Sequence, residues 1–275
     1  MTPRVGATPS GLPLGLAGLA LGLALNAVLG PSVTGVIDYR YGASMTAQGI
    51  ALDLVALVVV APLALRAAQL VRRRSPAGPL LGLAPAGFAV YMAPQYVVGP
   101  EYGRLPGDNE RYFPLHLAIL VLGLAALVGC WSAVGRDAPP LRSWYRWVVL
   151  GVAGVVLLRW APLMVALVAG DLHDPSYLDN PTAFFTIALL DLGVVVPAAV
   201  AVLLLLRRGA PQAVVAFFAL VGWFALVPLS VAAMAVTMVL RHVPDASAGT
   251  AAVLSALAGG FVVAAIGLYR SVLRA

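Results

Sequence analysis

Eight apolar runs follow one another along almost the whole chain, and this pattern constrains the fold more than any other feature. A helix needs about 20 mostly apolar residues to cross the hydrocarbon core of a bilayer. Only 10% of the residues are charged, whereas soluble domains carry roughly 25%. We therefore predict an all-α polytopic membrane protein whose eight transmembrane helices cover residues 11–31, 46–70, 78–99, 113–134, 144–170, 183–206, 211–240 and 248–270.

The whole chain, residues 1–275, is expected to form one integral membrane domain. No polar stretch between the apolar runs is long enough to fold as a soluble domain. The first run is longer than the apolar part of a typical cleaved signal peptide, so we interpret it as a retained first helix.

The distribution of arginine predicts the orientation. All 17 basic residues are arginines, and twelve of them fall on the side of the membrane that holds both termini. Cytoplasmic loops are enriched in basic residues, so both termini are predicted to be cytoplasmic. The Ala, Gly, Arg and Pro bias resembles that of a GC-rich bacterial genome, which indicates a bacterial cytoplasmic (inner) membrane. The absence of lysine excludes a retinal Schiff base.

Aspartates and prolines recur in the same order in the apolar runs of the two halves of the chain, which indicates an internal duplication. Leu52-Asp53-Leu54 corresponds to Leu190-Asp191-Leu192, and Pro62 corresponds to Pro197. Four helices per half would bring both halves into the membrane the same way round, as in transporters built from parallel repeats. We predict two tandem four-helix repeats, about residues 11–135 and about residues 144–272, related by a pseudo-two-fold axis along the membrane normal.

Polar side chains are rare in the apolar runs and cluster in the halves nearer the predicted outer face. A charge at membrane depth is costly, faces the bundle interior or a wet cavity, and tends to pair. We therefore predict an outward-facing polar site near the pseudo-axis, with Arg159 close to one or both buried aspartates. The predicted site residues are Asp53, Asp191, Arg159, Asn26, Tyr91, Gln95, Tyr96 and His116.

Three functions are compatible with such a site. The first is a transporter or permease for a small solute or ion, because one arginine facing two aspartates leaves a carboxylate free to exchange protons. The second is a non-catalytic sensor or assembly subunit in which Asp53, Arg159 and Asp191 form a structural clamp. The third is an intramembrane enzyme with paired aspartates, although the chain lacks the Gly-x-Gly-Asp signature of intramembrane aspartyl proteases. We expect the transporter, with no catalytic residue.

No cofactor or metal is expected. The three histidines lie in three separate segments without the spacing of zinc or haem ligands, and Cys130 is the only cysteine. Nucleic acid is also excluded as a partner, because the arginines are divided among the loops between apolar runs. The expected partners are membrane lipids and a small solute or proton. Whether a partner protein or a second copy binds is left open.

Overall fold

The computed structural model describes residues 10–134, 142–244 and 246–273, and these residues form a bundle of helices without strands. Eight helices are long and apolar enough to cross a membrane, which confirms the predicted all-helical multi-pass architecture. They are α1 (Leu12–Leu29), α2 (Ala43–Arg72), α3 (Ala77–Val98), α4 (Phe113–Ala133), α5 (Tyr145–Ala169), α6 (Pro181–Arg207), α7 (Ala213–Leu240) and α8 (Ala248–Leu273).

Helices α2 and α6 share an interruption. Each contains one π-helical segment, Ala56–Val60 in α2 and Asp191–Val195 in α6, and each π segment ends two residues before a proline, Pro62 or Pro197. Proline cannot donate a backbone hydrogen bond, and π turns in α-helices recur at functional sites. The prolines that the sequence places in the second and sixth spans therefore mark local changes in helical pitch.

Helices α3 and α7 cross at the centre of the bundle. Helix α3 also packs against α2 and α4, while α7 packs against α2 and α8. Glycine allows the close approach, because a Cβ on Gly87 would lie 3.1 Å from Trp223 and a Cβ on Gly222 would lie 3.0 Å from Ala84. Helix α1 completes the first half by packing on α2 and α4, and α5 packs on α6 and α7.

Residues 30–42, 99–112 and 170–180 connect the helices at one end of the bundle, here called the long-loop end. Arg40 joins the first two loops, since its guanidinium donates to both carboxylate oxygens of Glu110, at 3.0 and 2.6 Å, and to the Leu105 carbonyl at 2.8 Å. The Gly42 amide donates to Asn180 Oδ1 at 2.8 Å and ties the first loop to the third. The long-loop end is therefore one connected layer over the helix ends.

Candidate solute-binding site

Asp53 lies at the centre of a buried polar cluster in the first half of the chain. The side chain is fully buried on α2, and its carboxylate accepts three hydrogen bonds. Tyr96 donates at 2.6 Å and Asn26 at 3.0 Å to Oδ1, while Tyr39 donates at 2.7 Å to Oδ2. Three donors around one carboxylate offset much of the cost of burying it. We call Asn26, Tyr39, Asp53, Tyr96 and His116 the Asp53 cluster.

His116 extends this cluster through Asn26. The Asn26 amide nitrogen is directed at Asp53, so its Oδ1 is the atom that faces His116 Nε2, at 2.9 Å. His116 therefore donates through Nε2, and its Nδ1 has no hydrogen-bond partner among the residues that the structure describes. The imidazole ring also stacks on Tyr96, with 5.2 Å between ring centroids. His116 thus contacts Asn26 and Tyr96, two of the side chains that donate to Asp53, and forms no hydrogen bond with the carboxylate itself.

Tyr39 reaches the cluster from the loop that precedes α2. Its side chain is buried, and its ring lies 5.6 Å from that of Tyr96. Burial, reinforced by the adjacent Asp53 carboxylate, raises the pKa of Tyr39 well above its ordinary value. The hydroxyl therefore stays protonated and keeps donating to the carboxylate.

Asp191 on α6 has a different set of partners. Tyr91 of α3 donates to Oδ1 at 2.5 Å, and Trp160 of α5 donates through Nε1 to Oδ2 at 2.7 Å. Asp191 is also buried. No hydrogen-bond partner is shared between Asp53 and Asp191 in the part of the chain that the structure describes.

Arg159, which the sequence predicts to lie close to one or both buried aspartates, forms no ion pair with either of them. Within the described ranges, no carboxylate oxygen lies within 4.0 Å of the Arg159 side-chain nitrogens. Successive helical residues point about 100° apart, so when Trp160 faces Asp191 its neighbour Arg159 faces elsewhere. The guanidinium lies over the Trp160 ring, with its carbon 5.1 Å from the ring centroid. The three charges therefore do not form a clamp.

Arg159 instead lines a cavity next to the tyrosines that donate hydrogen bonds to the two aspartates. We call it the central cavity. Its volume is about 60 Å³, enough for a few water molecules. Tyr91 and Tyr96 also line it, and each is hydrogen-bonded to one of the aspartates, so the acids lie behind a layer of tyrosine. The other polar lining residues are Tyr41, Gln48, Gln95 and Ser230.

A second opening, here called the entry pocket, shares Met45, Gln48, Arg159 and Ile187 with the central cavity. It has a volume of about 230 Å³ and extends to Asp174 and Ser176 in the loop before α6. Arg159 thus lies where the two spaces meet. Because the entry pocket includes residues of the long-loop end, it connects the central cavity with that end.

The eight predicted site residues separate into three groups. Tyr91, Gln95, Tyr96 and Arg159 line the central cavity. Asn26, Asp53 and His116 belong to the Asp53 cluster, and Asp191 lies behind Tyr91.

Sequence reasoning missed five polar groups at the site. Trp160 directly follows Arg159 within a long apolar run, and this position is a signal for a site residue. Tryptophan is also common at the membrane–water interface, so the residue type alone does not indicate a buried hydrogen-bond donor. Tyr39 and Tyr41 lie in a loop, where nothing local indicates that the side chains turn into the bundle. Gln48 and Ser230 lie on helices, but hydrophobic periodicity alone does not show that their side chains face the cavity.

Fold and site together define a multi-pass helical membrane protein with a small polar cavity among its helices. Comparison with protein-family models, with curated proteins and with solved structures gives no match for this chain.

Proposed function

We propose that this protein is a membrane permease for a small polar solute, which binds in the central cavity and enters through the entry pocket. One observation carries the proposal: Arg159, without a carboxylate partner among the described residues, borders a cavity lined by amides and hydroxyls. Ionisable residues inside membrane proteins mark substrate and ion pathways more often than structural filler. A concave site with a few convergent polar groups is also the usual form of a small-molecule site.

The predicted tandem repeat supports the same proposal. The π segments, the prolines after them and the crossing glycines of α3 and α7 all recur at one spacing, Ala56 with Asp191, Pro62 with Pro197 and Gly87 with Gly222, so that at this spacing Asp191 corresponds to Ala56 and not to Asp53. Residues related by a two-fold axis along the membrane normal are close to each other only near that axis. Gly87 and Gly222 both lie where α3 crosses α7, so the proposed axis passes close to this crossing. Transporters with parallel repeats bind substrate at the repeat interface.

The proposed localisation is a bacterial inner membrane with the long-loop end outside. The arginine distribution supports this orientation, because most of the arginines precede α1 or lie at the opposite end of the bundle. The entry pocket would then open to the exterior.

A second candidate is a non-catalytic sensor or assembly subunit, and the small volume of the central cavity favours it. A cavity of about 60 Å³ admits only a very small solute unless helices move. The intramembrane enzyme is less well supported, because paired-aspartate chemistry needs carboxylates that share a proton, and each acid here has its own donors.

Exchange in proteoliposomes distinguishes the two candidates. Vesicles loaded with unlabelled acetate, phosphate, glycine, choline or glucose are diluted into the matching labelled solute, and entry is followed with time. The permease predicts entry of at least one solute, blocked by Ser230→Phe, which fills the central cavity. Ser132→Phe is the matched control, since Ser132 is exposed on α4 and lines neither space. Absence of exchange for every solute would contradict the permease and favour the sensor.

A further inference from the structure

The charge of the solute follows from the lining of its site. Arg159 is the only charged side chain that lines the central cavity among the described residues. The entry pocket adds only Asp174, and its Oδ1 already accepts from the backbone amides of Ser176 and Tyr177. Among the described residues, the path therefore carries one positive charge, Arg159, where the two spaces meet and one negative charge, Asp174, nearer the long-loop end.

Neither buried aspartate forms an ion pair with Arg159. Asp53 accepts three hydrogen bonds and Asp191 accepts two, and neither lines the central cavity or the entry pocket. A guanidinium binds carboxylate and phosphate with up to five donors in a rigid fork. Arg159 is an exposed residue, and its charge-assisted hydrogen bonds to such an anion are stronger than neutral ones.

The central cavity complements this donor with acceptors. The hydroxyl protons of Tyr91 and Tyr96 are directed at the aspartates, so only the oxygen lone pairs of these two groups remain for a ligand. A solute bound between Arg159 and the tyrosines would present an anionic group to the arginine and a hydrogen-bond donor to the tyrosines.

We infer that the solute is a small acid, with a carboxylate or phosphate bound by Arg159 and a hydroxyl or ammonium group facing Tyr91 and Tyr96. The inference rests on the proposed function and narrows it to one class of substrate. Lipid phosphates are a second source of the same anionic chemistry, so the test separates free acids from lipid.

Three small probes isolate the two features of the solute. Glycolate has the charge and the donor, acetate has only the charge, and glycolamide has the donor without the charge. Titration calorimetry in phosphatidylcholine nanodiscs should show glycolate binding about fivefold tighter than acetate, the effect of one hydrogen bond. Glycolamide should bind at least tenfold more weakly than glycolate, because its amide carbonyl accepts from the guanidinium without the negative charge that strengthens the carboxylate pair. Equal affinities for glycolate and glycolamide would overturn the inference.

Variants of two arginines on α5 assign the effect to the site. Arg159→Gln should lower glycolate affinity at least tenfold, and Arg159→Lys should lower it less, because lysine keeps the charge. Arg146 is the matched control, because it lies over its neighbour Trp147 at 5.3 Å as Arg159 lies over Trp160. Arg146→Gln should leave the affinity unchanged. An unaltered affinity in a folded Arg159→Gln protein, checked by its melting temperature, would also overturn the inference.

Two further outcomes separate this inference from the proposed function. If choline, glucose or glycolamide exchanges across the vesicle membrane in a manner that Ser230→Phe abolishes, while the acids neither bind nor exchange, the permease stands and the anionic substrate is wrong. If no solute of any charge binds or exchanges, both fail. If phosphatidylglycerol in the nanodisc raises the melting temperature through Arg159 and free acids have no effect, Arg159 binds a lipid headgroup and the small-acid inference is overturned.

Discussion

Asp53 and Asp191 lie equally far from the first residues of their helices but are held in different ways. Each follows the first residue of its helix, Ala43 or Pro181, by ten positions, which is about 15 Å of helix. Each also bonds to the first helix of its own half, Asp53 to Asn26 of α1 and Asp191 to Trp160 of α5.

The remaining donors distinguish the two sites. Tyr39 and Tyr96, which complete the Asp53 cluster, belong to the same half as Asp53, whereas Tyr91 reaches Asp191 from α3 in the other half. Asp53 therefore stabilises one half internally, while Asp191 joins the two halves beside the central cavity. Two similar sequence motifs can thus have different structural roles, because the partner helices decide the role.

Removal of the carboxylates should show this difference most strongly. Asp53→Ala leaves Asn26 and Tyr39 without an acceptor away from the cavity, and each costs about 1–3 kcal/mol, so we expect a loss of about 2–6 kcal/mol in unfolding free energy; Tyr96 lines the central cavity and can bind water there. Asp191→Ala should cost less, about 1–3 kcal/mol, because Tyr91 lines the cavity and water can bind it. Unfolding in detergent measures both, with exposed Asp38→Ala as control. Equal losses for the two aspartates would remove the distinction.

A smaller effect is expected from an added methyl group at Gly30, which ends α1 beside the Asp53 cluster. A Cβ there would lie 2.7 Å from Asp53 Oδ2 and 2.9 Å from the Tyr39 hydroxyl. Gly30→Ala should therefore cost about 1–3 kcal/mol, as overpacking of a filled core does. Gly15→Ala on the same helix meets nothing within 4 Å and should be neutral or slightly stabilising. Similar melting temperatures for the two variants would show that the cluster is loosely packed.

The weakest expected effect concerns alkaline pH and Tyr39. Its pKa is raised in the folded protein, chiefly by burial and then by Asp53, so the protonated phenol contributes stability below the unfolded value of about 10. That contribution is lost as the pH rises through and above this value. Melting temperatures recorded from pH 8 to pH 11 should fall, and less steeply in Tyr39→Phe. An unchanged slope in the variant would exclude Tyr39 as a source of the pH dependence.

The sequence was sufficient to predict the eight helices, because they depend on hydrophobicity along the chain. It did not determine which groups pair. A shift of one residue turns a side chain by about 100°, and this separates Arg159 from the partner that Trp160 contacts. Nor could it predict that Tyr39 folds from a loop into the bundle, since that contact depends on tertiary packing.

Water access tests the central claim most directly, namely that the Arg159 cavity opens at the long-loop end while Asp53 itself is buried in the core behind it. The native cysteine is first removed by Cys130→Ala. Three single-cysteine variants on α2 are then compared in sealed vesicles, with a charged methanethiosulfonate reagent added on the long-loop side. Gln48 lines both the central cavity and the entry pocket, Ala51 is buried in the core, and Val58 is 64% exposed on the lipid-facing surface of the bundle; each is replaced by cysteine.

The account predicts rapid labelling of Gln48→Cys and very slow labelling of the other two, because the core is packed and the lipid-facing surface excludes a charged reagent. Labelling of Gln48→Cys as slow as that of Val58→Cys, or of Ala51→Cys as fast as that of Gln48→Cys, would contradict it.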